Sequence, residues 1–492
     1  MRKVRKRHLC HRRARRGEKG GKKGCGGLFP GRGYAMMGLR KSGESEGFTM
    51  WKKHLSAVDK HRQLILDTME QIWRNPEPGY REWKTHQYLQ EQFEALGYEL
   101  TLADNVPGFY TVLDTGRPGP EVLVLGELDS LIIPDHPDAD KETGAVHACG
   151  HHAQCAALLG IAAALKEPGA LEGLSGRIRL CAVPAEELIE VDFRQQLKDR
   201  GIIRYMGGKT EFLHRGYFDG VDMAMMVHTG SGKRYSTVPG MVGCLSKRVI
   251  YRGRSAHAGG CPWDGINALY AAQQGLSAAN AIRETFHDED YIRFHPIITT
   301  GGSVANAIPD CVVLESFVRG GSFAAMAEAG KRIDRALIGA ALSLGANVDI
   351  QDSPGYAPTR QCPALVALAG EAAELAGLPF YHDPVMDTGS TDMGDLSSVM
   401  PVLHPYAPGA VGNCHGVDYA IDDAELACVG SAKWQLVMVH LLLENGGKRG
   451  REIAAGFTPE FACKEDYFTY IDGLARSGAR IRYDGDKAQV QL

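Results

Sequence analysis

The sequence predicts a mainly parallel α/β domain interrupted by an inserted ferredoxin-like module. Three observations predict it. Residues 122–125, 178–183 and 223–227 are short, continuous apolar runs without polar alternation. Such runs form strands buried on both faces of a parallel sheet. Residues 245–351 then read as strand 245–252, helix 264–282, strands 291–299 and 312–319, helix 323–343 and strand 346–351. That β-α-β-β-α-β order is the ferredoxin-like one. Finally, 492 residues are too many for one ordinary domain.

The other elements follow in chain order. Residues 1–50 read as a basic, Gly-rich disordered leader, because runs such as Arg12, Arg13, Arg15 and Arg16 repel one another and cannot pack. A nuclear-type signal, an organellar transit peptide, a nucleic-acid arm and an upstream extension all remain open for it. Leu55, Val58, Ile65, Met69 and Ile72 recur at helical spacing and predict a helix over 51–73, broken by Asn75-Pro76. A second helix, 82–96, closes at Gly97. Residues 152–166 fit a helix between the first two sheet strands. Ser322 is placed to N-cap helix 323–343. After the insert come helices 363–376 and 422–444, and a tail with a helix at 459–474 and a strand at 480–483. The expected divisions are therefore a body over 51–242 and 353–446, an insert over 243–352, and a C-terminal extension over 447–492.

Charge is divided unevenly. Residues 1–40 hold 14 Lys and Arg against one acid, so the remaining chain is net −17. An acidic body argues against nucleic acid as its partner. The sequence shows no run of about 18 apolar residues, which argues against a membrane span. Twelve cysteines without a C-x-x-C pair suit reduced thiols in the cytoplasm rather than a disulfide scaffold.

Chemistry-bearing residues gather at the C-terminal ends of the three apolar runs, the edge where open α/β sheets bind ligands. His147-Ala148-Cys149-Gly150-His151-His152 offers a thiol and an imidazole across a glycine turn. These suit a transition metal, or else form a buried thiol with exposed histidines. A helix starting there would favour the Cys149 thiolate. Glu186 and Glu187 end the second run and His228 follows the third, while Cys414-His415-Gly416 lies in a Gly- and Pro-rich loop. Together they offer donors for borderline metals such as zinc or manganese.

In this order the motifs resemble the co-catalytic metallopeptidase family of aminoacylases, hippurate hydrolases, auxin-conjugate amidohydrolases and aminobenzoyl-glutamate hydrolases. The resemblance spans residues 51–444. It rests on N-P-E-P-G-Y-R-E (75–82), H-A-C-G-H-H (147–152), P-A-E-E (184–187), S-A-H-A (255–258), G-G-x-x-x-N-x-I-P-D (301–310) with Arg319, and D-T-G-S-T-D-M-G-D (387–395). The last is most similar to the aminobenzoyl-glutamate utilisation branch, in the form of that enzyme's second subunit. Glu127-Leu128-Asp129 stands where the peptidase branch has His-x-Asp. His152 replaces the usual Asp or Asn, and 188–221 departs from the family's Gly-rich stretch.

The resemblance implies an amidohydrolase with two divalent metal ions, zinc or manganese, in the body, the insert serving as lid and dimerisation domain. Cys149 would bridge the ions, and His151, Glu187, His228 and His415 would complete their coordination. Glu186 would be the general base toward a metal-activated water. Asp129 would orient a ligating histidine. His257 would stabilise the oxyanion across a homodimer, and Asn306 and Arg319 would bind the substrate's carboxylate or oxyanion. The implied reaction cleaves an amide next to a free carboxylate, of the N-acyl-amino-acid or aminobenzoyl-glutamate type. A dipeptidase or carboxypeptidase of the same fold is the alternative, then a non-catalytic binding protein. The need for a second, different subunit stays open.

Overall fold

A computed structural model describes residues 47–492. The leader therefore lies outside the described residues, except for its last turn, which is helical.

The body is built on a six-stranded sheet. Its order is Thr101–Leu102, Phe109–Asp114, Arg177–Val183, Glu121–Glu127, Met223–Met225, Val402–Leu403. The last four run parallel and the first two pair antiparallel at one edge. Every residue of Glu121–Glu127 is buried, as are all but the first of Arg177–Val183. The unbroken apolar runs thus reflect layers on both sheet faces. One layer includes helix His151–Leu165, in which every residue is buried. Leu158, Ile161 and Leu165 share a core cluster with Val122, Val124, Ile178 and Leu180.

The expected helix over 51–73 is two helices, Gly47–Lys60 and Arg62–Trp73, parted at His61. The apolar spacing survives the break, which is why periodicity does not show it. The third run leaves the sheet at Met225. His228–Thr229 then pairs in parallel with Tyr406–Ala407 in a second, four-stranded sheet. The helix expected over 422–444 opens as a π-helical turn, Glu425–Gly430, and continues as Ser431–Gly456 with non-helical residues at Glu444, Asn445, Gly446 and Gly447. Among the described residues this one helix, Glu425–Gly456, is long and apolar enough to cross a membrane, with a mean hydropathy of 1.5. That corrects the expectation of no such stretch. Its apolar window is 89% buried, so it is a core helix here.

The insert has the expected order. Gly243–Arg252 lies between Cys311–Gly320 and Asn347–Pro354, all antiparallel, under helices Ala268–Ala281 and Phe323–Ser343. Ser322 caps the second helix by accepting from Ala325 N at 3.1 Å. Strand 291–299 is split into Arg293–Phe294 and Ile297–Thr300, both paired to Cys311–Gly320. Pro296 between them has no N–H for the ladder.

The C-terminal extension joins insert and body. Its helix, Lys464–Leu474, touches the body through Tyr467 on Asp395 and Asp472 on Tyr205. Beyond it, Arg476 and Ala479 bridge to Asp352 and Asp349 on the insert's edge strand. Arg476 also meets the carboxylates of Asp334 and Asp352, which share buried Lys247. One buried lysine leaves two buried carboxylates a charge short, and the extension supplies the second cation.

Candidate metal and catalytic site

The geometry of the strand ends begins with N-P-E-P-G-Y-R-E. Glu77 O accepts from Ser130 N at 2.9 Å, and Glu82 Oε1 accepts from Ala185 N at 2.8 Å. These bonds hold the two loops that follow Glu121–Glu127 and Arg177–Val183. Ala185 adopts a left-handed φ of 57°, which turns Glu186 and Glu187 off the strand. A non-glycine residue there is strained, and its bonds from both sides stabilise it.

Gly150 makes the next turn. Its φ is 91°, and a Cβ would lie 2.0 Å from Thr229 Oγ1 and 2.4 Å from Tyr419 Oη. Only glycine fits, and helix His151–Leu165 starts immediately after it. Loop residue His415 is anchored by its N–H to Ala148 O at 2.9 Å. This bond brings Cys414 and His415 to the mouth of the same site.

The predicted ligands converge. Cys149 Sγ lies 3.3 Å from His228 Nε2, and His415 Nε2 lies 3.2 Å from Glu187 Oε1. Donor atoms of Cys149, His151 and His228 all fall within 4.8 Å of one another. So do those of Cys149, Cys414 and His415, and those of Glu127, His151 and Glu186. Cys149 belongs to the first two groups and His151 to the first and third. Asp129 Oδ1 and its carbonyl sit 3.2 and 2.9 Å from His151 Nδ1, while Oδ2 accepts from Glu187 N at 2.8 Å. Nδ1 facing two acceptors leaves Nε2 free toward the site.

Two buried atoms point to a cation. His151 Nε2 and Glu187 Oε1 have no hydrogen-bond partner among the described residues. Buried polar atoms without partners are costly, and a metal satisfies both. The residues present therefore fit a metal centre.

The electrostatics differ from expectation at one point. The helix start is expected to favour the Cys149 thiolate, but the thiol is pushed well up. Its hydrogen bond with Cys414 is the first cause, followed by burial and the charges of Glu187 and Glu186. Burial and two carboxylates outweigh a helix terminus. Burial likewise raises the Glu186 carboxyl well above its usual range, helped by the charges of Glu127 and Glu187. For Glu187, burial acts upward, yet hydrogen bonding and charge from His415 bring it down to about 2. For His151, burial acts downward, but Glu127 and Asp129 carry it well up.

Cys149 and His151 thus hold protons that a metal must displace. Both shifts are upward, so zinc affinity is expected to rise with pH across the neutral range and on past the ordinary thiol pKa of about 8.5, with release of protons on binding. Calorimetry in two buffers of different ionisation enthalpy measures this. Binding without proton release contradicts it.

The cavity beside this cluster has a volume of about 620 Å³. It is lined by Glu186, Glu187, His228, Arg319, Asp387, His404 and His415 among others. Arg319 Nη1 donates to Ser390 Oγ at 2.6 Å. His257 and Asn306 do not line it within one chain. Both lie on the insert away from the cavity, where Ala258 N donates to Asn306 O at 2.9 Å.

Sequence reasoning misses several groups. Lys209 is buried and pairs with both Glu127 and Asp392, the latter at 2.5 Å. Glu127 also accepts from Gln154 Nε2 at 2.8 Å. Its place in the departing Glu-x-Asp motif is the one hint. His404 stacks on His228 with ring centroids 5.7 Å apart and has no hydrogen-bond partner on either ring nitrogen among the described residues. Tyr356 donates to Glu186 O, steadying the second carboxylate loop. Lys209, His404 and Tyr356 lie in no recognisable local pattern.

Residues 123–433 match the family described as Peptidase family M20/M25/M40. The chain is 31% identical over 317 residues to a p-aminobenzoyl-glutamate hydrolase subunit of Escherichia coli, covering 59% of this chain and 67% of that one. It is 29% identical over 364 residues to Xaa-Arg dipeptidase of Mus musculus, covering 71% and 77%. A dinuclear metal binding peptidase from M20 family of Bacillus subtilis shares the fold with a TM-score of 0.61 at 19% identity, covering 78% of this chain and 99% of that one. With the ligand motifs in family order and the matched segment spanning the sheet, the site and the insert, this chain belongs to peptidase family M20/M25/M40 and is a hydrolase of amide bonds.

Proposed function

We propose that the chain is a dimetal amidohydrolase cleaving an amide next to a free carboxylate, of the N-acyl-amino-acid or aminobenzoyl-glutamate type. One observation carries the reading: Cys149 is shared by two donor groups, and Glu186 stands beside them on the same cavity. Two divalent ions, zinc or manganese, would be held by Cys149, His151, Glu187, His228 and His415. Bound there, they would polarise the scissile carbonyl and lower the pKa of the attacking water.

The protein's own groups supply the rest. Glu186, with its raised pKa, takes a proton from the attacking water and returns it to the leaving amine. Asp129 holds His151 by Nδ1. Arg319, on the cavity wall, binds the substrate's carboxylate by its guanidinium fork. His257 and Asn306 reach a site only from a partner copy, His257 to stabilise the oxyanion. The insert supports such a homodimer, exposing Trp263, Tyr270, Ile297, Ile298 and Val304. The ten described cysteines are all free, which supports a cytoplasmic setting.

A dipeptidase is the second reading. Asp387 on the cavity wall, held by Tyr406 Oη at 2.8 Å, favours a substrate with a cationic end. A panel of N-acyl amino acids, aminobenzoyl-glutamate and dipeptides, assayed with zinc and with manganese, separates the two. Cleavage confined to dipeptides would replace the first reading with the second. No cleavage and no bound metal would leave a binding protein.

A further inference from the structure

Cys149, Glu187 and His415 gather around one ion of the proposed centre, and the residue before His415 has no role in it so far. Cys414 Sγ lies 3.7 Å from Cys149 Sγ. That is far beyond a disulfide bond, which is about 2.05 Å. It is the spacing that two thiolates take on one tetrahedral zinc. With Zn–S bonds of about 2.3 Å, the sulfurs stand roughly 3.8 Å apart. The other pair of donors agrees. His415 Nε2 and Glu187 Oε1 are 3.2 Å apart, against roughly 3.4 Å for nitrogen and oxygen on the same ion.

A second observation points the same way. Glu187 is 7% exposed, and its Oε1 has no hydrogen-bond partner although it faces His415. The loop is also built to hold its position. His415 N donates to Ala148 O, Gly416 N donates to Asn413 O at 2.8 Å, and Asn413 N donates to Asp418 Oδ1 at 3.1 Å. The Cys149, Cys414 and His415 donors all lie within 4.8 Å of one another.

We propose that Cys414 is a metal ligand which, with Cys149, Glu187 and His415, closes a four-donor tetrahedral site and makes the two ions of the centre unequal. A set of two sulfurs, one nitrogen and one oxygen is complete without water and prefers zinc to manganese. The open position then belongs to the other ion, on the side of His151 and His228. The inference rests on the metal-centre reading proposed above.

Cobalt(II) titration of the reduced metal-free chain tests it by absorption rather than by turnover. The parent is expected to bind two cobalt ions with strong near-ultraviolet thiolate-to-cobalt bands. Three sulfur–cobalt bonds are expected, two from bridging Cys149 and one from Cys414. Cys414→Ser should therefore lose about a third of that intensity and weaken one site by roughly 10- to 100-fold, leaving the other unchanged. An unaltered spectrum and two unaltered affinities in Cys414→Ser overturn the proposal while leaving the metal centre standing. A parent that binds no cobalt overturns both. Alkylation read by mass spectrometry tests the unmutated chain. Zinc should protect Cys414 from iodoacetamide, while exposed Cys463 reacts equally with and without it. Equal labelling of Cys414 in both states overturns the proposal.

Discussion

Glu186→Gln is expected to lower kcat by about 10²–10⁴-fold while leaving the metal content unchanged. Burial and the flanking charges of Glu127 and Glu187 raise the Glu186 carboxyl, as a base working near neutral pH requires. Glutamine keeps the shape and the backbone contact with Tyr356 but cannot carry the proton. Steady-state kinetics and metal analysis on the same sample check it. The second measurement is needed because Glu186 Oε2 lies 4.0 Å from His151 Nε2 and groups with Glu127 and His151. If the variant loses an ion, Glu186 is a ligand. If it keeps both ions and near-normal turnover, another group is the base.

Lys209→Met is expected to destabilise the fold by about 3–5 kcal/mol. Lys209, Glu127 and Asp392 are all fully buried, and the ammonium stands between the two carboxylates. Lys209 Nζ and Gln154 hold Glu127 in place, with its Oε2 3.1 Å from His151 Nε2. Removing the cation leaves two carboxylates without water or counter-charge. Burial already pushes Asp392 up to about 6 despite the lysine. Glu127 stays below the usual carboxylate range because Lys209 and His151 overcome its burial. Urea unfolding measures the loss through the midpoint at constant slope. Adding Glu127→Gln and Asp392→Asn to Lys209→Met should recover most of it, since no buried charge then lacks a partner. A loss below about 1 kcal/mol for Lys209→Met alone would equate the triad with an exposed pair.

Much of the architecture is legible in the sequence. Runs 122–125 and 178–183 form neighbouring parallel strands because only a doubly covered strand tolerates unbroken apolar sequence. The insert's order holds because its periods switch cleanly between strand and helix. The less legible places are those where local pattern and tertiary bonding part company. Helix 51–73 breaks at His61 with its apolar stripe intact. His228 leaves the main sheet because its N–H finds Pro405 O on another segment. At the site, Cys149, His151, Glu187, His228 and His415 can be named because motif spacing survives folding. Lys209, Asp392 and His404 cannot, since a buried lysine or histidine reads locally like any exposed one.

The sequence by itself determined the layered α/β body, the inserted module and the identity of the residues that could bind metal. All three are written in periodicity and short-range spacing, which act within a few residues. Only the tertiary structure decided the state of those residues. It brought Cys414 to 3.7 Å from Cys149 across 265 positions of chain. It left His151 Nε2 and Glu187 Oε1 unpaired in the interior and moved the Cys149 thiol away from its expected thiolate form. Burial and charge depend on which distant groups share the low-dielectric space, and no local pattern encodes that.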